Sequence, residues 1–342
     1  MARPLSSLSL DLDNLWSYLK THGDARWTSF PSYLDRVVPR ILEMLDSLEL
    51  RITFFIVGQD AVLEKNKEAL SAIKAAGHDI GNHSFKHEPW LQTYSAEHIR
   101  AELASAEAAI DEVFGVKPKG FRGPGFSLSR LTLEVLNERG YLYDATTFPT
   151  FIGPLGRLYF LKGSTLGDAE RKQREALFGS WRDGFRPLTP YRWRSPVENT
   201  FTLLEIPVTT FPGPRLPIHF SYLVYLAGFS RRLAATYFSG ALRACLIRGI
   251  EPSLLLHPLD FLGAGEYPEL NFFPGMTMNL NTKLHVIHEN IRRLKETFDV
   301  LDLHTYAEKI RDRAGLPRRT ITSVSQGGAT DGKNRARSSM IQ

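Results

Sequence analysis

Ile52-Thr53-Phe54-Phe55-Ile56-Val57 is an apolar run of strand length, a helical pattern follows it over Ala61 to Ala76, and Asp79-Ile80-Gly81-Asn82-His83 reads as a second strand. Strand, helix and strand in this rhythm predict parallel pairing with the helix as crossover, since parallel neighbours cannot be joined by a tight turn. The unit recurs in both directions along the chain. Similar runs stand at Leu8 to Leu12, Gly120 to Gly123, Tyr141 to Asp144, Leu203 to Val208 and Ser253 to His257, each bounded by turn residues. Helical patterns lie between several of them, at Val37 to Leu48, Ala96 to Phe114 and Leu128 to Arg139. Ser95, followed by Glu97 and Glu102, has the form of a capped, acid-rich helix start, and Gly77 and Gly140 stand where C-terminal glycines belong.

A chain of 342 residues with 43% apolar side chains can bury a sizeable core, and barrel-type domains run to this size. One catalytic domain over residues 1–312 is expected. Residues 150–200 break the rhythm with many Gly, Pro, Arg and aromatic residues, among them Phe151, Trp181, Phe185, Tyr191 and Trp193, and predict an insertion or lid over one face. From Arg313 the composition turns to Gly, Ser, Thr, Arg and Lys, which predicts a disordered basic tail over residues 313–342.

That tail also explains the formal charge of +5. It holds Arg313, Arg318, Arg319, Lys333, Arg335 and Arg337 against the single acid Asp331, so residues 1–312 are neutral. A nucleic-acid footprint needs basic residues gathered on one folded face, and this distribution speaks against it. With Cys245 alone, no intrachain disulfide can form. The first ten residues lack the apolar segment of a signal peptide. The expected place of action is the cytoplasm, including the inner membrane face. The most hydrophobic stretch, Ile218 to Phe229, is short of the ~20 residues that span a bilayer and predicts a buried or half-buried helix, or an interfacial patch.

Four constellations carry chemistry. In Ser9-Leu10-Asp11-Leu12-Asp13-Asn14, alternation on a strand points Asp11 and Asp13 the same way, and two nearby carboxylates call for a shared cation or proton. In His83-Ser84-Phe85-Lys86-His87, an i, i+4 pair on a helical turn would let both imidazoles meet one metal. Arg122, in Phe121-Arg122-Gly123-Pro124-Gly125-Phe126, can hold a carboxylate by a bidentate pair and keep it ionised. Ser253-Leu254-Leu255-Leu256-His257-Pro258 is an apolar strand that ends in a histidine aimed out of its end. All four follow strands, where the sites of parallel barrels collect.

In this order the motifs resemble those of the polysaccharide deacetylase family, carbohydrate esterase family 4: an acidic strand end, His-Ser/Thr-x-x-x-His, Arg-x-Pro and Leu-x-His. The resemblance spans roughly residues 8–263, with 150–200 poorly matched. It implies a distorted (β/α) barrel of about seven parallel strands and hydrolysis of an amide C–N bond in an N-acylated sugar or glycan, including a lipid-linked one. It further implies one divalent ion, zinc first, with cobalt, manganese or nickel as alternatives, held by Asp13, His83 and His87. Carried over by position, Asp11 is the base, His257 the acid, Arg122 the tether of the base, and Asp144 a carboxylate that orients the acid. Pro124 and Phe126 fall where the substrate groove has its floor, although Gly125-Phe126 replaces the family's usual Tyr-Gly, and Leu12 separates aspartates that are often adjacent. Competing readings keep the fold with another substrate, as a deformylase or ureide hydrolase, or keep only glycan binding. His22, His78, His98, His219, His285, His288 and His304 have no partner at ligand spacing and are expected at the surface or in the core.

Overall fold

The structure, a computed structural model, describes residues 3–152, 183–195, 201, 203–321 and 324. The strands are β1 (Leu5–Asp11), β2 (Thr53–Ile56), β3 (Asp79–Asn82), β4 (Gly120–Phe121), β5 (Tyr143–Asp144), β6 (Tyr191–Arg194), β7 (Leu204–Glu205), β8 (Ser253–Leu256), β9 (Asp299–Leu301) and β10 (Arg318–Thr320). Strands β8, β1, β2, β3, β4, β5 and β7 lie side by side in that order, and every pair among them is parallel. These are the seven runs legible in the sequence. They form the distorted (β/α) barrel architecture.

The ladder does not close by strand pairing between β7 and β8. Instead the chain past β7 reaches across: Thr209 N–H donates to Ser253 O, and Ser253 N–H returns to Thr209 Oγ1, each at 2.9 Å.

The helices are α1 (Leu15–His22), α2 (Leu34–Ser47), α3 (Gly58–Ala61), α4 (Lys67–Ala75), α5 (Ala96–Phe114), α6 (Arg130–Glu138), α7 (Phe220–Phe229), α8 (Arg231–Ile247), α9 (Leu280–Thr297) and α10 (Leu303–Ile310). Ser95 caps α5 as expected, and Gly77 and Gly140 take left-handed φ of 71° and 75°. The single helix expected over Ala61 to Ala76 is broken into α3, a short turn and α4. Asn66 is the cause, because its side-chain amide binds both the backbone and the carboxylate of Asp60 and fixes a turn there.

Outward-facing residues of the strands, such as Leu8, Leu10 and Phe54, join the main core under the helices. Inward-facing Phe55, Tyr143, Ala145, Leu204 and Ile206 meet Leu303, Tyr306, Ala307 and Ile310 of α10, which stoppers the barrel at the N-terminal ends of its strands. Two interior rings need glycine opposite them. A Cβ on Gly81 would lie 2.5 Å from the Phe55 ring, and one on Gly120 2.0 Å from the Tyr143 ring.

Two expectations are corrected. Part of the 150–200 segment is sheet rather than insertion: β6 pairs antiparallel with β7, and Trp193 Nε1 donates to Glu205 at 2.8 Å. The remainder of the segment expected to be an insertion or lid, residues 153–182 and 196–200, lies outside the described residues. The tail does not begin at Arg313. Arg313 pairs with Glu251 at 2.9 Å, β10 adds to the edge of β6, and Ile321 and Val324 are buried in the cluster beneath them. Main-chain pairing and two isolated apolar residues order a stretch whose composition is polar. Ending the chain after Arg313 is therefore expected to lower stability by roughly 2–4 kcal/mol, the usual effect of deleting one buried aliphatic side chain. Turnover should stay within about twofold, and urea melts with initial rates test both.

The stretch around Ile218 to Phe229 forms α7, half-buried: Phe220, Leu223, Val224 and Ala227 face inward, and Phe229 is 71% exposed. Among the described residues, no helix is long and apolar enough to cross a membrane.

Candidate active site

The pairing registers set Asp11, Asn82, Phe121, Asp144, Glu205 and Leu256 near the C-terminal ends of their strands, so the loops leaving those strands share one rim. Asp11 closes β1. Leu12 N–H donates to Phe55 O at 3.0 Å and keeps the chain extended, so that Leu12 faces the core and Asp13 turns back with Asp11. Asn14 pins this corner. Its side chain caps α1 and donates to Asp60 Oδ1 at 2.7 Å, while Tyr33 Oη donates to the Asp13 carbonyl at 2.6 Å.

The histidine pair is not on a helical turn. Ser84 and His87 adopt left-handed φ of 63° and 48° in an irregular loop. Side chains stand in for helical hydrogen bonds: Asn82 Oδ1 accepts from Ser84 N–H, and the Glu102 carboxylate accepts from the N–H groups of Phe85 and Lys86. The loop nevertheless brings both rings to Asp13, with His87 Nε2 at 2.8 Å and His83 Nε2 at 3.3 Å from the same Oδ1. His83 Nδ1 lies 2.7 Å from the Arg122 carbonyl and donates to it, so that the neutral ring would offer Nε2 as a lone pair to an ion.

Asp13, His83 and His87 are all buried, and their ligand atoms lie within 4.8 Å of one another. One carboxylate and two imidazoles converging in this way fit a divalent cation, and three ligands leave coordination positions open. Burial alone would raise the Asp13 carboxyl, but the charge and hydrogen bonds of His87 and His83 more than reverse this and hold it well below the usual range.

Arg122 is fully buried. Its Nη1 donates to Asp11 Oδ1 at 2.6 Å and to Ser9 Oγ at 2.8 Å, Nε donates to the Ala145 carbonyl at 3.0 Å, and the guanidinium lies 4.4 Å from the centre of the Phe55 ring. The contact with Asp11 is through one nitrogen rather than bidentate, because Nε is occupied by the neighbouring strand and Nη2 finds no partner among the described residues. Pro124 is buried, and Phe126, at φ 59°, packs 4.8 Å from Phe148, so both lie on the rim beside Arg122.

His257 follows β8, the neighbour of β1 on the side away from β2. Its Nδ1 is 3.0 Å from Ser221 Oγ, and its N–H donates to Asp260 Oδ2 at 2.8 Å. Asp144, expected to orient His257, is engaged elsewhere. Thr146 Oγ1 donates to it, and it hydrogen-bonds Glu205. Burial and the charge of Glu205 push the Asp144 carboxyl well above the usual range. Glu205 accepts from Thr147 N–H and Oγ1 and from Trp193 Nε1, so the negative charge rests on Glu205 and the shared proton on Asp144.

A carboxyl raised by folding gives stability that is full below its unfolded value, ~3.9 for Asp, and is lost as pH rises through the folded value. Asp144→Asn keeps a donor toward Glu205 without titrating. Its stability, measured by denaturant melts, is expected to fall less between pH 5 and pH 8 than that of the parent, with turnover within about threefold.

Sequence reasoning did not single out Ser9, Ser221, Asp260 or Glu205. Asp260 had a signal, an acid three residues after His257 at the start of a turn. His219, expected at the surface or in the core, packs edge-on to His257 with ring centres 6.1 Å apart, and burial followed by the His257 charge pushes its ring down to about 3, so it is neutral.

Residues 21–143 match the family profile for polysaccharide deacetylase. Among curated proteins, the peptidoglycan deacetylase of Helicobacter pylori is 30% identical over 107 residues, 31% of this chain and 36% of that one. The chitin deacetylase of Colletotrichum lindemuthianum is 32% identical over 115 residues, 33% of this chain and 46% of that one. The chain thus matches about a third to a half of the length of these relatives. A Mycobacterium smegmatis protein named for the polysaccharide deacetylases superposes with a TM-score of 0.61 at 22% identity, covering 93% of each chain. One of Pseudomonas aeruginosa PAO1 gives 0.59 at 18%, covering 92% of each. These two likenesses speak for the fold. The matched segment carries the histidine and Arg122 constellations in place, with Asp11 and Asp13 just ahead of it, and over that segment the chain is similar to the polysaccharide deacetylase family.

Proposed function

We propose that this protein is a metal-dependent hydrolase that removes an N-acyl group, acetyl first, from an N-acylated sugar or glycan. The observation that carries the reading is the juxtaposition on one rim of a three-donor cluster, Asp13, His83 and His87, with a carboxylate, Asp11, held by a buried arginine. A divalent ion on those three ligands, zinc by the borderline character of the donor set, would supply Lewis acidity to the scissile carbonyl and the attacking water. Asp11 then takes the proton of the water as it attacks, and Arg122 keeps that carboxylate oriented and anionic. An amine leaves poorly unless protonated, and His257, on the neighbouring strand, gives the nitrogen its proton as the C–N bond breaks.

The test is release of acetate or formate, with the matching free amine, from N-acetylated and N-formylated sugars, chitin oligosaccharides and peptidoglycan fragments, using protein loaded in turn with zinc, cobalt, manganese and nickel. Acetate release that is lost in the Asp11→Asn variant is expected. No release from any of these substrates by protein carrying a full complement of metal would sink the reading.

A further inference from the structure

The imidazole of His257 is held from two directions. Ser221 Oγ, in the first turn of α7, is 3.0 Å from Nδ1, and Asp260 Oδ2 accepts the backbone N–H of His257 at 2.8 Å. The Ser221 hydroxyl also faces the Asp260 carboxyl and partly offsets the rise that burial imposes on it. Asp260 is 2% exposed, so its oxygens must find protein donors. Lys283 also faces this carboxyl, but its ammonium donates to the Leu259 carbonyl at 2.6 Å.

A serine hydroxyl has one proton to give. If Ser221 gave it to Nδ1, its lone pairs would face the Asp260 carboxylate. Every contact is satisfied in the other sense, with Nδ1–H donating to Ser221 Oγ and the Ser221 proton donated to Asp260.

We propose that Ser221 and Asp260 are the positioning residues of His257, a serine-relayed counterpart of a direct carboxylate–histidine contact, fixing the proton on Nδ1 and presenting Nε2 to the substrate. This rests on the reading of His257 as the acid. In that step the Nε2–H proton passes to the amide nitrogen as the C–N bond breaks, its electron pair stays on Nε2, and the ring returns to neutral with Nδ1–H intact. Through the hydroxyl, the carboxylate holds Nδ1–H toward Ser221 and so keeps the ring turned with Nε2 toward the substrate. Asp144, which shares its proton with Glu205, has no part in it.

The test uses metal-loaded protein with 15N-labelled histidine, with the His257 signals identified by their loss in His257→Gln. In the neutral ring, the parent is expected to carry its proton on Nδ1. Asp260→Asn can still accept the His257 N–H through its oxygen while turning an amide donor toward Ser221, so the relay should reverse and the proton move to Nε2. Ser221→Ala should release the preference, and Ser221→Thr should restore it, which separates a lost hydroxyl from a disturbed fold.

In kinetics, Ser221→Ala should lower kcat for an amide by roughly ten- to a hundredfold with KM within about twofold, and spare an activated aryl ester whose leaving group needs no proton. A parent ring protonated on Nε2, or a tautomer unmoved by Asp260→Asn, overturns the proposal. The expected tautomers in a protein that hydrolyses no N-acyl substrate would support the positioning and count against the hydrolase reading instead.

Discussion

Replacing His83 and His87 together by alanine is expected to remove the bound divalent ion from the protein and abolish turnover. Of the three donors that converge within 4.8 Å, only Asp13 would remain, and one monodentate carboxylate cannot retain an ion against water. Elemental analysis should find about one ion per parent chain and a trace in the variant. The loss of rate should exceed the roughly 10- to 100-fold that removal of one supporting partner costs in metal enzymes. The substitution leaves the buried Asp13 carboxylate without the two imidazoles that lie against it, so some destabilisation is expected as well. Circular dichroism distinguishes a folded, metal-free protein from an unfolded one, and His83→Gln with His87→Gln, which fills more of the space, serves as the gentler pair. An ion retained at full stoichiometry in a folded double variant would move the metal site elsewhere.

The two aspartates at the end of β1 should separate cleanly. Asp11→Asn is expected to keep the ion while turnover falls by something like 10²- to 10⁴-fold, the usual contribution of a positioned proton-transfer group. Asp13→Asn should instead weaken ion binding, because only Asp13 lies against both imidazoles. If the two behave the other way round, the roles must be exchanged. Arg122→Ala should differ from both. It leaves Asp11, Ser9 and the Ala145 carbonyl without a donor inside the barrel, and breaking a buried ion pair from one side costs about 3–5 kcal/mol, so this variant should be read first by its melting curve. Arg122→Lys returns the charge but cannot serve Ala145 and Asp11 in the same fork, and should recover stability only in part.

Periodicity made most of the fold legible. Seven apolar runs separated by helical patterns specify a parallel sheet, and β8, β1, β2, β3, β4, β5 and β7 form it. The same logic placed Asp11, Asp13, His83, His87, Arg122 and His257 at strand ends. It misjudged features decided by side chains distant in sequence. The His83–His87 loop has a helical spacing, yet Glu102, on α5, holds its backbone in another shape. Asp144 stands where an orienting carboxylate was expected, but Glu205, 61 residues on and adjacent only through the pairing of β5 with β7, shares its proton. Ser221 belongs to a hydrophobic helix with no polar pattern, and nothing local announces that it meets His257. The order of residues 313–321 depends on β6 offering an edge, which composition cannot reveal.

The position of β1 in the sheet also governs how the chain can be made. One neighbour, β2, begins at Thr53, but the others are β8, from Ser253, and β9, from Asp299. The stopper α10 begins later still, at Leu303. During synthesis the first strand must therefore wait, half paired, while some two hundred further residues emerge, and the barrel interior stays wet until α10 arrives. Pairings of such long range make for slow folding. The candidate ligands Asp13, His83 and His87 all lie within the first 87 residues, whereas His257, the proposed acid, and its supports come much later. On the proposed reading, the residues for the ion emerge well before the acid, so the complete site is among the last things the ribosome delivers.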